Sequence, residues 1–184
     1  MPLLSIIVVN VKGREHLSNL IKSLENSSFK DFELIIVDIK ENKLRTQLEV
    51  KEVLIEEDKG LAFCRNKGLL ASNSNLVLFL DNDTEVLKDT LLKFVNFLKE
   101  NRKTIVQLKL VKEDGTIDAA GGVIDVLGYS HEIFRGTPKD DVKETYPVLY
   151  AKGAAFGGWR EDLLYLGGFD DEYFYGYDET DLCI

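Results

Sequence analysis

Strand-like and helix-like hydrophobic patterns alternate along the first hundred residues. Leu4 to Val9 is a short apolar run rich in β-branched residues, the pattern of a strand in a parallel sheet covered on both faces. A turn-like Lys12-Gly13 follows, and then Leu17, Leu20, Ile21 and Leu24 recur at helical spacing. Phe32 to Asp38 predicts a second buried strand that ends on an acid. A short third strand at 53–55, a helix at 60–71 and a fourth strand at 76–80 come next, the last running into Asp81-Asn82-Asp83. The helix after it would place Leu87, Leu91, Val95 and Leu98 on one face. Such β-α-β units require parallel strands with right-handed crossovers. The pattern therefore predicts an open α/β sheet, in which ligands bind beyond the carboxyl ends of the strands at a topological switch. Asp38 and Asp81 both stand at such ends.

Beyond residue 104 the pattern becomes irregular. It offers a strand at 104–111, a turn at Gly115, the pair Gly121-Gly122 and a charged loop at 138–144. There is no internal repeat and no low-complexity linker, so 1–184 is expected to form a single domain. The chain stops at Asp181-Leu182-Cys183-Ile184 without a Gly, Pro or polar fade-out, as expected of a piece of a longer protein.

Composition narrows the class. An apolar fraction of 45% and a charged fraction of 30% are those of a globular domain able to bury a core. The formal net charge of -9 argues against a nucleic-acid partner, which would need a basic face. Two cysteines, Cys64 and Cys183, form no zinc or disulfide framework and point to a reduced, cytoplasmic setting. The apolar N-terminal run is far shorter than the roughly 20 residues of a membrane span and lacks a basic leader.

The strongest chemical signal is Asp81-Asn82-Asp83, two carboxylates presented by one strand-end turn. Oxygen ligands of this kind suit magnesium or manganese, whose other positions phosphate oxygens and water can fill. An acidic turn capping the next helix is the structural alternative. Asp38 has the same placement and could accept a hydrogen bond from a nucleobase or ribose, or simply form a turn. Arg65, near the start of the helix at 60–71, could reach a diphosphate or base, although a solvent-facing helical Arg is commoner. The third constellation is Gly167-Gly168-Phe169-Asp170-Asp171-Glu172-Tyr173-Phe174 with Tyr177-Asp178-Glu179-Thr180-Asp181-Leu182. It supplies candidate general bases beside aromatics that can stack on a sugar, or else an acidic helix start.

Together these segments resemble the inverting glycosyltransferases of family 2, and within them a rhamnosyltransferase-like subgroup. The likeness rests on Ser5-Ile6-Ile7-Val8-Val9-Asn10, on residues 32–38, on 60–68 with Arg65-Asn66, on 78–84 and on 167–182. It implies a GT-A fold, an open mixed sheet flanked by helices, with 1–100 as the nucleotide-binding half and 101–184 as the acceptor side. It further implies that Val9, Val11 and Asp38 border the nucleobase, that Arg65 helps fix the nucleotide and that Asp81 contacts ribose or metal. Asp83 would bind the divalent cation, Mg or Mn, and Glu179, with Asp178 beside it, would be the catalytic base. The implied partners are a UDP-, dTDP- or GDP-sugar donor and a sugar or glycolipid acceptor, with the full-length protein peripheral to the inner face of a membrane.

Departures from the family pattern are local. Val11-Lys12 replaces an expected Tyr-Asn, Ile39-Lys40-Glu41 follows Asp38, and Asp178-Glu179 reverses the usual Glu-Asp. They leave open a domain that binds a nucleotide sugar without transferring it. A haloacid-dehalogenase-like phosphatase fits less well, because its D-x-D lies on the first strand; a dinucleotide-binding dehydrogenase would need G-x-G-x-x-G, which is absent.

Overall fold

The computed structural model describes residues 1–12, 15–42 and 44–184, so Gly13 of the expected Lys12-Gly13 turn lies outside the described residues. The chain runs β1 (Leu4–Val9), α1 (Leu17–Glu25), β2 (Phe32–Asp38), β3 (Val50–Leu54), α2 (Leu61–Ala71), β4 (Leu76–Asp81) and α3 (Thr90–Glu100). Then follow β5 (Val106–Gln107), β6 (Leu110–Val111), β7 (Ile117–Ala119), β8 (Gly122–Ile124), β9 (Ser130–Glu132), β10 (Ala155–Trp159), α4 (Arg160–Tyr165) and α5 (Asp178–Cys183). A central sheet has the order β3-β2-β1-β4-β10-β5. Its β1–β4 portion is parallel, while β10 runs antiparallel to both β4 and β5, which makes the sheet mixed. Two small hairpins, β6-β7 and β8-β9, stand apart from it.

The apolar runs are continuous because helices cover both faces. Ile6, Val8, Leu34, Ile36, Leu78 and Leu80 pack against Leu20 and Leu24 of α1 and Leu91, Phe94 and Leu98 of α3. The alternate residues, Ile7, Ile35, Val37, Val77 and Phe79, face Ala62, Cys64 and Leu69 of α2 together with Leu163, Phe169 and Leu182. Period-two alternation thus feeds two cores from the same strands.

Three expectations need correction in detail. The third strand begins earlier, at Val50, because its register against β2 starts from the pair Leu34↔Val50. Leu87 is 79% exposed: α3 starts only at Thr90, and buried Val86 takes the core position instead. The expected strand at 104–111 divides, since 106–107 pair with β10 whereas 110–111 turn away to pair with β7. The charged loop at 138–144 contains a single 3-10 turn at Lys139–Asp141. The pattern did not foresee β10, whose Ala-Phe-Gly-Gly-Trp sequence lacks a β-branched signature. A Cβ on Gly157 would collide with the Val77 carbonyl, so close approach to β4 decides that residue.

Candidate active site

The carboxyl ends of β1 and β4 open into a cleft of about 310 Å³. Val9 and Val11 form one apolar wall, Asp81, Asn82 and Asp83 another, and Asp178 with Glu179 a third. The segment Lys152-Gly153-Ala154 and the stretch Phe174-Tyr175-Gly176 complete it. Two larger cavities, about 830 and 760 Å³, lie along the antiparallel edge of the molecule. Neither contains a strand-end acid, so volume alone does not locate the chemistry.

Arg65 organises the cleft. Its side chain is 3% exposed and lies against the rings of Phe156 and Phe169, with centroids at 5.4 and 5.5 Å. Nη1 donates to Asp178 Oδ2 at 2.6 Å, and Nη2 donates to the Gly153 carbonyl at 2.8 Å. The same guanidinium faces Asp81 Oδ1 at 3.6 Å and Glu179 Oε2 at 3.8 Å. One cation therefore collects three acids from β4 and from the start of α5, elements far apart in sequence. This is not the solvent-facing helical Arg that statistics favour.

The two adjacent acids of α5 are not equivalent. Asp178 is fully buried and locked to Arg65, whereas Glu179 keeps 17% of its side chain exposed in the cleft wall. Burial pushes the Glu179 carboxyl above its ordinary value, with Arg65 pulling the other way and Asp178 adding to the rise. Asp81 is likewise raised, first by burial; Arg65 opposes this, and Asp83 and Asp178 reinforce it.

Among the described residues no group of three or more His, Cys, Asp or Glu forms a metal cage. What the chain offers a divalent ion is the Asp81-Asp83 pair, whose mutual repulsion is felt at Asp81 and whose outer member is exposed. Two carboxylates on an open wall fit an ion that completes its shell with phosphate oxygens and water, and do not fit a protein-only cage.

Asp38 does not reach the cleft. It is fully buried, accepting from Asn10 Nδ2 at 3.0 Å, Asn42 Nδ2 at 3.2 Å and its neighbour's amide, Ile39 N, at 2.6 Å. Asn10 in turn accepts from Asn82 Nδ2 at 2.8 Å. A buried polar chain thus links the ends of β2, β1 and β4 behind the apolar wall. In sequence Asn10 is marked only as the end of the first apolar run; a lone amide directly after a buried strand is the available signal. The sequence pattern also missed Lys152, Gly153 and Asp58, because they come from irregular segments.

Two further residues hold the remaining wall. Asn66 accepts from Phe169 N at 2.9 Å and donates to Phe169 O and Asp171 Oδ1, both at 2.7 Å, tying the loop after α4 to α2. Gly60 adopts φ +100° and lets the Phe174 carbonyl accept from Leu61 N at 2.8 Å; a Cβ there would stand 2.5 Å from that oxygen.

A mostly parallel sheet carrying acids at the carboxyl ends of β2 and β4, closed by one antiparallel strand, defines the GT-A type of α/β domain. The profile described as Glycosyl transferase family 2 matches residues 5–164, and the chain belongs to that family. A putative teichuronic acid biosynthesis glycosyltransferase, TuaG of Bacillus subtilis, is 29% identical over 126 residues, covering 62% of this chain and 50% of TuaG. The GalNAc(5)-diNAcBac-PP-undecaprenol beta-1,3-glucosyltransferase of Campylobacter jejuni is 28% identical over 194 residues, 98% of this chain and 58% of that protein. Among solved structures, GalNAc-T7 with UDP, GalNAc and Mn2+ superposes with a TM-score of 0.77 at 18% identity, covering all of this chain and 40% of the other. The chain therefore spans about half the length of the curated relatives it matches. No helix among the described residues is long and apolar enough to cross a membrane.

Proposed function

We propose that this domain transfers a sugar from a nucleoside-diphosphate donor to an acceptor hydroxyl, with inversion at the anomeric carbon and with Glu179 as general base. The observation that carries this reading is the division of labour between Asp178 and Glu179. Asp178 is a buried counter-ion for Arg65, while Glu179 stands in the cleft wall with its carboxyl held above its ordinary value by burial, the direction that strengthens a carboxylate as a base. Inversion rests on family membership. The reversed order Asp178-Glu179 fits this reading, since Glu179 keeps 17% of its side chain exposed in the cleft wall while Asp178 is fully buried.

The apolar wall of Val9 and Val11 receives the nucleobase, with Asp38 acting on it through Asn10. Asp83, with Asp81, holds a divalent ion, Mg or Mn, on the open wall. When bound, such an ion offsets charge on the departing diphosphate. The co-crystallised Mn2+ of GalNAc-T7 supports that assignment. The remaining steps belong to the chain itself. Arg65 fixes Asp81, Asp178 and Glu179 in one constellation, Glu179 takes the acceptor proton, and the 174–176 segment shields the reacting bond from water. The Campylobacter relative's name specifies an undecaprenyl-diphosphate-linked glycan, which supports a lipid-linked acceptor here.

The test is Glu179→Gln assayed for transfer from a panel of nucleotide sugars, with nucleotide binding followed by calorimetry. Transfer should fall by about 10²–10⁴-fold with binding intact. Full transfer activity in Glu179→Gln would refute the assignment. The non-catalytic alternative predicts that the wild-type chain binds a nucleotide sugar yet transfers nothing to any acceptor.

A further inference from the structure

The cleft holds a surplus of acids. Asp58, Asp81, Asp83, Asp178 and Glu179 line it against Lys12, Arg65 and Lys152. An anionic diphosphate entering there needs a cation that can turn to meet it. Arg65 is fully engaged, and Lys12 sits on the outer rim, 79% exposed and 3.5 Å from Asp58. Lys152 differs from both. Its Nζ lies 3.1 Å from Glu132 Oε1 and 3.5 Å from Asp118 Oδ2, acids of β9 and β7 on the far side of the cleft wall. It nonetheless lines the same cleft as Asp81 and Glu179.

The surroundings of Lys152 allow that ammonium to leave. Arg135 contacts both Glu132, at 3.2 Å, and Asp118, at 3.8 Å, and Lys112 contacts Asp118 at 3.6 Å. Two acids are thus served by three cations, so departure of Lys152 leaves neither acid unpaired. The backbone at its base is fixed, since Lys152 N donates to Gln107 Oε1 at 2.6 Å and the next carbonyl, Gly153 O, accepts from Arg65. Only the flexible four-carbon stem has to move.

We propose that Lys152 is a transferable cation that leaves the Glu132-Asp118 pair to engage the phosphate oxygens of a nucleoside diphosphate in the cleft. This inference rests on the donor-site reading above and names the residue that would meet the donor's charge. The competition has a definite sign: Glu132 and Asp118 hold Lys152 back, so weakening them favours the bound position.

The experiment is calorimetric titration of the chain with UDP, GDP and dTDP in manganese, and with the matching nucleosides, on wild type, Lys152→Gln, Lys152→Arg and Glu132→Gln. Thermal melting checks that each variant is folded. Lys152→Gln should weaken the diphosphate that binds by about tenfold or more, leaving the nucleoside unchanged, and Lys152→Arg should recover most of the loss. Glu132→Gln should tighten the same diphosphate by about two- to fivefold, as expected on removing a screened competing ion pair. A merely structural role for the network would make Glu132→Gln weaken binding, and that result overturns the inference. So does diphosphate affinity unchanged in Lys152→Gln. If wild type binds none of the three diphosphates, the donor-site reading falls and the inference falls with it.

Discussion

Replacing Arg65 by Met is the most demanding perturbation of this structure, because it removes charge while keeping most of the buried length. Asp178 would be left fully buried, without its 2.6 Å partner, and its other oxygen, Oδ1, already has no hydrogen-bond donor. Removing one member of a buried pair costs about 3–5 kcal/mol, most of it the penalty of an uncompensated charge. The lost contact with the Phe156 and Phe169 rings adds about 0.5–1 kcal/mol or more. A domain of this size holds roughly 5–15 kcal/mol in all, so Arg65→Met should remove about a quarter or more of its stability. At about 2–4 °C per kcal/mol the melting temperature should drop by roughly 10 °C. Urea unfolding followed by circular dichroism measures the loss directly. The double variant Arg65→Met/Asp178→Leu should recover a large part of it, because no buried charge remains. A single variant costing less than about 1 kcal/mol, or a double variant no better than the single, would refute the account of Arg65 as the counter-ion of Asp178.

Four other outcomes follow from the geometry. Because burial raises the Glu179 carboxyl, kcat/KM should climb through an acid limb above the ordinary glutamate value of 4.5, and pH-rate profiles will show it. The same shift has a sign for stability. The folded chain holds this proton more tightly than the unfolded one, so stability present below pH 4.5 is lost as pH rises through the folded value. Glu179→Gln should therefore melt higher than wild type at neutral pH, with the gap closing in acid, while transfer is lost. Asp83→Ala should abolish the manganese-dependent part of nucleoside-diphosphate binding in calorimetry and leave melting nearly unchanged, since the residue is exposed. Gly60→Ala forces a Cβ to within 2.5 Å of the Phe174 carbonyl at φ +100°, so a loss of about 1–3 kcal/mol in urea unfolding and weaker nucleotide binding are expected.

The alternation of apolar runs and helical periods was enough to specify a parallel α/β sheet, its first four strands and the edge where the site lies, because covered strands must be apolar on both faces. The Asp81-Asn82-Asp83 turn was legible for the same reason: a polar triplet directly after a buried strand has nowhere to go but the ligand edge. Local pattern could not show β10, since two of its five residues are glycines, Gly157 pressed against β4 and Gly158 against the Thr104 carbonyl, placed for close approach rather than for strand propensity. Nor could it show that Leu87 stays outside α3, which is decided by where the turn after β4 lets the helix begin. The placement of Asp38 behind the cleft, rather than in it, also needed three dimensions, because Asn10 and Asn42 come from other segments to claim its carboxylate. Tertiary structure alone separated Asp178 from Glu179. Adjacent in sequence and alike in chemistry, they differ because the start of α5 aims one at a guanidinium buried between two rings and leaves the other facing the cleft. Sequence determined which residues carry charge at this edge, and packing around Arg65 decided which of those charges remain free to meet a ligand.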